Sequence, residues 1–139
     1  MDDIEILKLK SKGYCCSQIM VQLVLDMADL ENRQLVDFSR GLCMGSKLET
    51  GSCGILTAGL CLLAMYAPQD PDLRASMQDD FRAFFTAAAS QGIQCRQIAG
   101  DHYPNLNPET CPTLLSQAHG ALMNILTEHE MDPADLDDE

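Results

Sequence analysis

Seven cysteines, Cys15, Cys16, Cys43, Cys53, Cys61, Cys95 and Cys111, are spread over 139 residues with no CxxC pair among them. Four share a setting. Cys16 follows Gly13-Tyr14, Cys53 follows Gly51-Ser52, Cys95 follows Gly92, and Cys111 lies between Thr110 and Pro112, so each falls in or beside the first turn of an expected helix. First-turn amides have no intrahelical acceptor and the helix dipole places partial positive charge there, a setting that stabilises a thiolate. Four such thiols brought together can hold an iron–sulfur cluster, hold zinc, or cycle between dithiol and disulfide.

The remaining candidates carry less. An isolated cysteine on a helix is ordinarily a small core residue, and that reading applies to Cys43, at a helix end, and to Cys61, two turns beyond Cys53 in an apolar helix. Cys15 lies about 100° around the helix from Cys16, so Cys16 is expected to face the site and Cys15, at most an accessory, to face away. His102 in "DHYPN" is a second accessory candidate, able to ligate a metal or carry a proton, although a loop histidine is more often simply solvated. HExxH, GxSxG and P-loop signatures are absent, and no acid–base constellation marks catalysis on a small substrate.

The elements that position these thiols read as helices. A short amphipathic stretch over 2–12 ends near Gly13, and from Tyr14 the residues Cys16, Ile19, Met20, Leu23, Met27 and Leu30 recur at intervals of three and four. Asn32 is a cap for a third helix with Leu35, Phe38 and Leu42 facing inward, after which "GLCMGSKLETGS" is a loop. A fourth helix starts at Cys53 and stops at Pro68. After Asp70-Pro71, the series Leu73, Met77, Phe81, Phe84, Phe85 and Ala88 predicts a long helix ending at Gly92. "IQCRQIAG" gives one or two turns, "DHYPNLNPE" a loop, and Thr110 opens a last helix with Leu114, Leu115, Ala118, Leu122, Ile125 and Leu126 inward. No segment alternates as a strand does, so the expectation is an all-α bundle of five to seven helices, one domain over 1–130 with an acidic, flexible tail over 131–139.

Composition narrows the partners. Nine Lys and Arg against twenty-one Asp and Glu give a formal charge of −12, which argues against nucleic acid and against an anionic membrane surface. The longest apolar run, residues 55–67, is too short to cross a bilayer, so no stable membrane insertion is expected. The N-terminus lacks a basic and apolar leader, which points to the cytoplasm, where an odd number of cysteines speaks against a disulfide scaffold.

The same four cysteines carry a family resemblance. "KGYCCSQ" resembles a "GYNCAQ" type of opening, and "GSCGILTAGL" resembles a CGAxxG motif. "GIQCRQIAG" followed by Cys111 matches two later single cysteines of the C_GCAxxG_C_C family of redox-active proteins. The resemblance spans Gly13 to about Cys111 and implies a redox class without specifying a reaction. By position the family's cysteines fall on Cys16, Cys53, Cys95 and Cys111, with Gly51, Gly54 and Gly59 as small residues around the second. Two positions depart from the motif: Ile55 stands where the family has alanine, and Ala58 stands at its second glycine, with Gly59 one place later.

The expected function is therefore a redox role on four thiols, with a redox protein as partner. A cluster or other metal, for electron transfer or sensing, is placed slightly ahead of cluster-free disulfide cycling. A structural zinc in an interaction module is the further alternative. Separations of 37, 42 and 16 residues lack the tight pairs of most metal motifs, so tertiary packing must assemble the site. The four sulfurs are expected to line one pocket reachable from the surface.

Overall fold

The computed structural model describes residues 2–103, 105 and 107–136. Among them are seven α-helices: α1 (Asp2–Ser11), α2 (Cys16–Met27), α3 (Arg33–Ser39), α4 (Gly54–Tyr66), α5 (Pro71–Ala88), α6 (Cys95–Ala99) and α7 (Thr110–Glu128), with 3-10 stretches at Arg40–Lys47 and Gly100–His102. No strand occurs among the described residues, and no helix there is long and apolar enough to cross a membrane. Polar side chains set several helix starts: Asn32 Oδ1 accepts from the Leu35 amide and Asp70 Oδ1 from the Leu73 amide, both at 3.0 Å. Pro71 then occupies the first turn of α5, where its missing N–H costs nothing.

α4 is the central element. It packs against α2, α5 and α7, and Ile55, Leu62 and Leu63 are fully buried there beside Ile19 and Met20 of α2, Met77, Phe81 and Phe85 of α5, and Leu115 and Leu122 of α7. Gly59 makes the α4–α5 contact close, because a Cβ at that position would enter the Phe81 ring. Ala58, at the departed motif position, is fully buried beside it. The small residue the packing requires thus sits one place later than in the motif.

Several expected positions differ. α3 ends at Ser39 instead of running on to Leu42, so Val36 and Ser39 become its inner face while Phe38 is 79% exposed. Met27, in the last turn of α2, is also exposed. α5 ends at Ala88, and Gly92 lies beyond a turn closed by its own amide on Ala89 O. Cys61 is exposed rather than buried, on the side of α4 where Thr57, Leu60, Ala64 and Met65 are only half-buried. The acidic C-terminal stretch is docked as far as Leu136, which is buried, and the Tyr66 hydroxyl donates to Pro133 O at 2.5 Å. Residues 137–139 of that expected tail lie outside the described residues.

The segment between α3 and α4 has an unusual backbone. Met44, Gly45, Ser46 and Lys47 all have φ between 57° and 65°, a left-handed turn of four residues. Each non-glycine member costs roughly 1–2 kcal/mol relative to right-handed geometry. The turn is held where Gly45 lies against Gly51, whose backbones approach so closely that a Cβ on either would collide with the other. Gly54 does the same against Leu42 O, which a Cβ would meet at 2.8 Å. Gly51 and Gly54 therefore press this irregular segment onto the start of α4.

Candidate functional site

All four motif cysteines sit at helix starts. Cys16 is the first residue of α2, Cys53 the N-cap of α4, Cys95 the first residue of α6 and Cys111 the second residue of α7. Cys53 and Cys95 are drawn together by backbone: residues 51–53 and 93–95 run antiparallel, with the Cys53 amide donating to Ile93 O at 2.7 Å and the Cys95 amide to Gly51 O at 3.0 Å. Cys16 and Cys111 meet because α2 packs on α7, and their sulfurs share a hydrogen bond. Asn107 orders the start of α7, its Oδ1 accepting from the Glu109 and Thr110 amides at 3.0 and 3.1 Å.

The four thiols are only 4–8% exposed. A cleft of about 640 Å³ lies beside them. Asn107, Thr110, Thr113 and Gln97 line it, and none of the four cysteines does. Burial also overturns the expectation that every helix start would favour a thiolate. Cys53 is pushed up to about 12 by loss of water, although the Ile55 and Leu56 amides pull the other way, and charge on Cys95 and Cys111 opposes its ionisation further. Cys95 is raised by burial and then by Cys111. Cys16 is raised well above the ordinary thiol value, first because its S–H is held by Cys111, then by burial and by charge on Cys111, Cys53 and Cys95.

Cys111 goes the other way, down to about 7. The hydrogen bond from Cys16 is the largest cause, aided by the Asn107 backbone amide and the Lys10 ammonium of α1, and together they outweigh burial. The pair is therefore a Cys16 thiol donating to a Cys111 thiolate. Lys10 was not legible as a site residue, since its only signal is the packing of α1 on α7, which brings residues a hundred positions apart together.

The other candidates fall outside this set. Cys43 is not an ordinary buried thiol: it is half-buried and bonded to Cys15 in a disulfide with Cα atoms 6.0 Å apart. Cys15 is thus occupied elsewhere while its neighbour Cys16 faces Cys111. His102 is exposed at the end of a 3-10 turn. Among the described residues no three His, Cys, Asp or Glu side chains stand together as a metal-holding group.

Helices that converge their N-termini on buried thiols, one of them ionised near neutral pH, define an all-helical thiol protein. The model of the family described as "Putative redox-active protein (C_GCAxxG_C_C)" matches residues 14–125, and the chain belongs to that family. No curated protein and no solved structure matches it.

Proposed function

We propose that the chain is a two-electron thiol redox protein in which Cys111 is the nucleophile and Cys16 its resolving partner. The carrying observation is the pairing of Cys16 and Cys111 where α2 packs on α7, in which the Cys16 thiol draws Cys111 down to about 7 and stands as a second thiol beside it. An attacking thiol is most effective when its pKa lies near the ambient pH. The Cys111 thiolate attacks a disulfide of a redox partner protein, forming a mixed disulfide and releasing one partner thiolate. Cys16 then attacks the Cys111 sulfur, its proton passing to the departing sulfur, so that Cys16–Cys111 is oxidised to a disulfide and the partner is reduced to a thiol and a thiolate, the latter taking a proton from water. The low exposure of both sulfurs makes this depend on local opening at the start of α7. A reducing cytoplasm would keep the pair in its dithiol form between turnovers.

The test is oxidation of the full chain by a small disulfide under anaerobic conditions, with peptide mapping of the product. A Cys16–Cys111 link supports the reading, and oxidation that leaves both thiols free while linking other cysteines overturns it. Mutual opposition to ionisation among Cys16, Cys53, Cys95 and Cys111 favours a second reading, an iron–sulfur cluster or zinc, because a cation would relieve it. That reading needs the sulfurs to draw together on loading. Stoichiometric iron or zinc in anaerobically purified protein, lost on Cys53→Ser, supports it. Iron with sulfide indicates electron transfer or sensing, and zinc without redox cycling indicates a structural module.

A further inference from the structure

The Cys15–Cys43 bond lies outside the four motif cysteines, and its surroundings are equipped for both of its oxidation states. Ser17 is fully buried, and its hydroxyl lies 2.7 Å from Ser39 O, 2.9 Å from Cys43 Sγ and 3.4 Å from Cys15 Sγ. While the disulfide is intact, the hydroxyl donates to Ser39 O. If Cys43 becomes a thiol, its S–H can donate to Ser17 Oγ, which still donates to Ser39 O. If Cys43 becomes a thiolate, the hydroxyl can turn to donate to it instead. Gln18, also buried, places Oε1 3.5 Å from Cys15 Sγ, so a Cys15 thiol has an acceptor as well. Gln18 is held in place by its own contacts, accepting from the Cys15 amide at 3.2 Å and donating to Val36 O at 3.3 Å. A bond that served only to staple the fold would have no use for acceptors aimed at two thiol hydrogens. Both cysteines are also partly exposed, unlike the four motif thiols.

We propose that Cys15–Cys43 is a second, reversible redox centre, reduced by an external dithiol, with Cys15 the sulfur attacked and Cys43 the leaving sulfur stabilised by Ser17. One thiolate of the dithiol bonds to Cys15 Sγ and breaks the Cys15–Cys43 bond, and the electron pair leaves on Cys43, where the Ser17 hydroxyl faces it at 2.9 Å. The second thiol of the dithiol then displaces Cys15. The dithiol becomes a disulfide, and its two protons end on Cys15 and Cys43. The Cys16–Cys111 pair takes no part in this step, so the inference stands apart from the proposed function above.

The experiment equilibrates the full-length protein in buffers of defined reduced-to-oxidised dithiothreitol ratio, quenches with acid, alkylates with N-ethylmaleimide and maps the peptides. In the native protein Cys15 and Cys43 should lose and regain their alkylation together and reversibly as the ratio is cycled. Alkylation of both at every ratio means the bond does not form, and a link that survives excess dithiothreitol until the protein is denatured means it is only structural; either result overturns the proposal. Ser17→Ala, checked for native helicity by circular dichroism, should slow reduction of the pair by about three- to tenfold, the scale of one lost hydrogen bond to a developing charge. It should leave the alkylation rate of Cys111 unchanged. An unaltered reduction rate overturns the assignment of Cys43 as leaving group.

Discussion

The starts of α4 and α7 are alike in most respects and opposite in one. Each places a cysteine at the start of a long helix, Cys53 at 4% and Cys111 at 5% exposure, and each sulfur faces backbone N–H, Cys53 the Ile55 and Leu56 amides and Cys111 the Asn107 amide. Yet Cys53 is pushed up to about 12 and Cys111 drawn down to about 7. The amides at a helix start are therefore insufficient against burial. The difference comes from what the neighbouring helices add: a thiol donor from α2 and an ammonium from α1 at Cys111, and only further sulfurs at Cys53. Reactivity here depends on tertiary packing laid over a local motif.

The largest expected effect tests that contrast directly. At pH 7 about half of Cys111 is thiolate, whereas a thiol near 12 is ionised only to about one part in 10⁵. With the Cys15–Cys43 bond intact, alkylation by iodoacetamide should thus show a Cys111 phase that rises with pH, levels off above about 7, and falls about tenfold per unit below it, because only the thiolate reacts. Cys111→Ser should abolish that phase and Cys53→Ser should leave its midpoint near 7. A titration at Cys111 centred near 9 would erase the contrast.

The contrast also marks what a single sequence can and cannot convey. The periodicity of Leu73 through Ala88 and of Leu114 through Leu126 gave α5 and α7, because an apolar stripe is a local property of a helix. The placement of Cys16, Cys53, Cys95 and Cys111 at helix starts was legible for the same reason. Phe38 and Met27 misled, since a stripe continues on paper past the point where the helix ends or its neighbour stops covering it. The glycines around Cys43 marked an irregular segment but not its left-handed run, which depends on Gly45 meeting Gly51. The bond from Cys15 to Cys43 and the approach of Lys10 to Cys111 are contacts between separate elements with no local signature.

A smaller effect sharpens the comparison by removing what only the α7 site possesses. Cys16→Ala deletes the thiol that donates to Cys111, and the midpoint of Cys111 alkylation should move up from about 7 by about one unit or more, towards an ordinary thiol. Cys16→Ser retains a hydroxyl donor at nearly the same position and should keep most of the depression. If both variants shift equally, the contribution of Cys16 is packing, and the hydrogen bond does not set the thiolate.

The smallest effect belongs to Lys10. Its ammonium lowers Cys111 less than the Cys16 thiol and the Asn107 amide do, and the residue is only partly buried. Charges that water can reach are screened over about 10 Å at 0.1 M salt. Lys10→Gln should therefore raise the Cys111 midpoint by a few tenths of a unit at low ionic strength, and the difference from the parent protein should shrink as salt is added. Lys10→Arg, which keeps the charge, should restore the parent value. Cys53 supplies the internal control, because burial above all holds its thiol up to about 12, so the same substitution should leave the Cys53 thiol unreactive at pH 7. A shift in Lys10→Gln that is indifferent to salt would assign the effect to altered packing of α1 on α7, and the α7 site would then owe its thiolate to Cys16 and Asn107 alone.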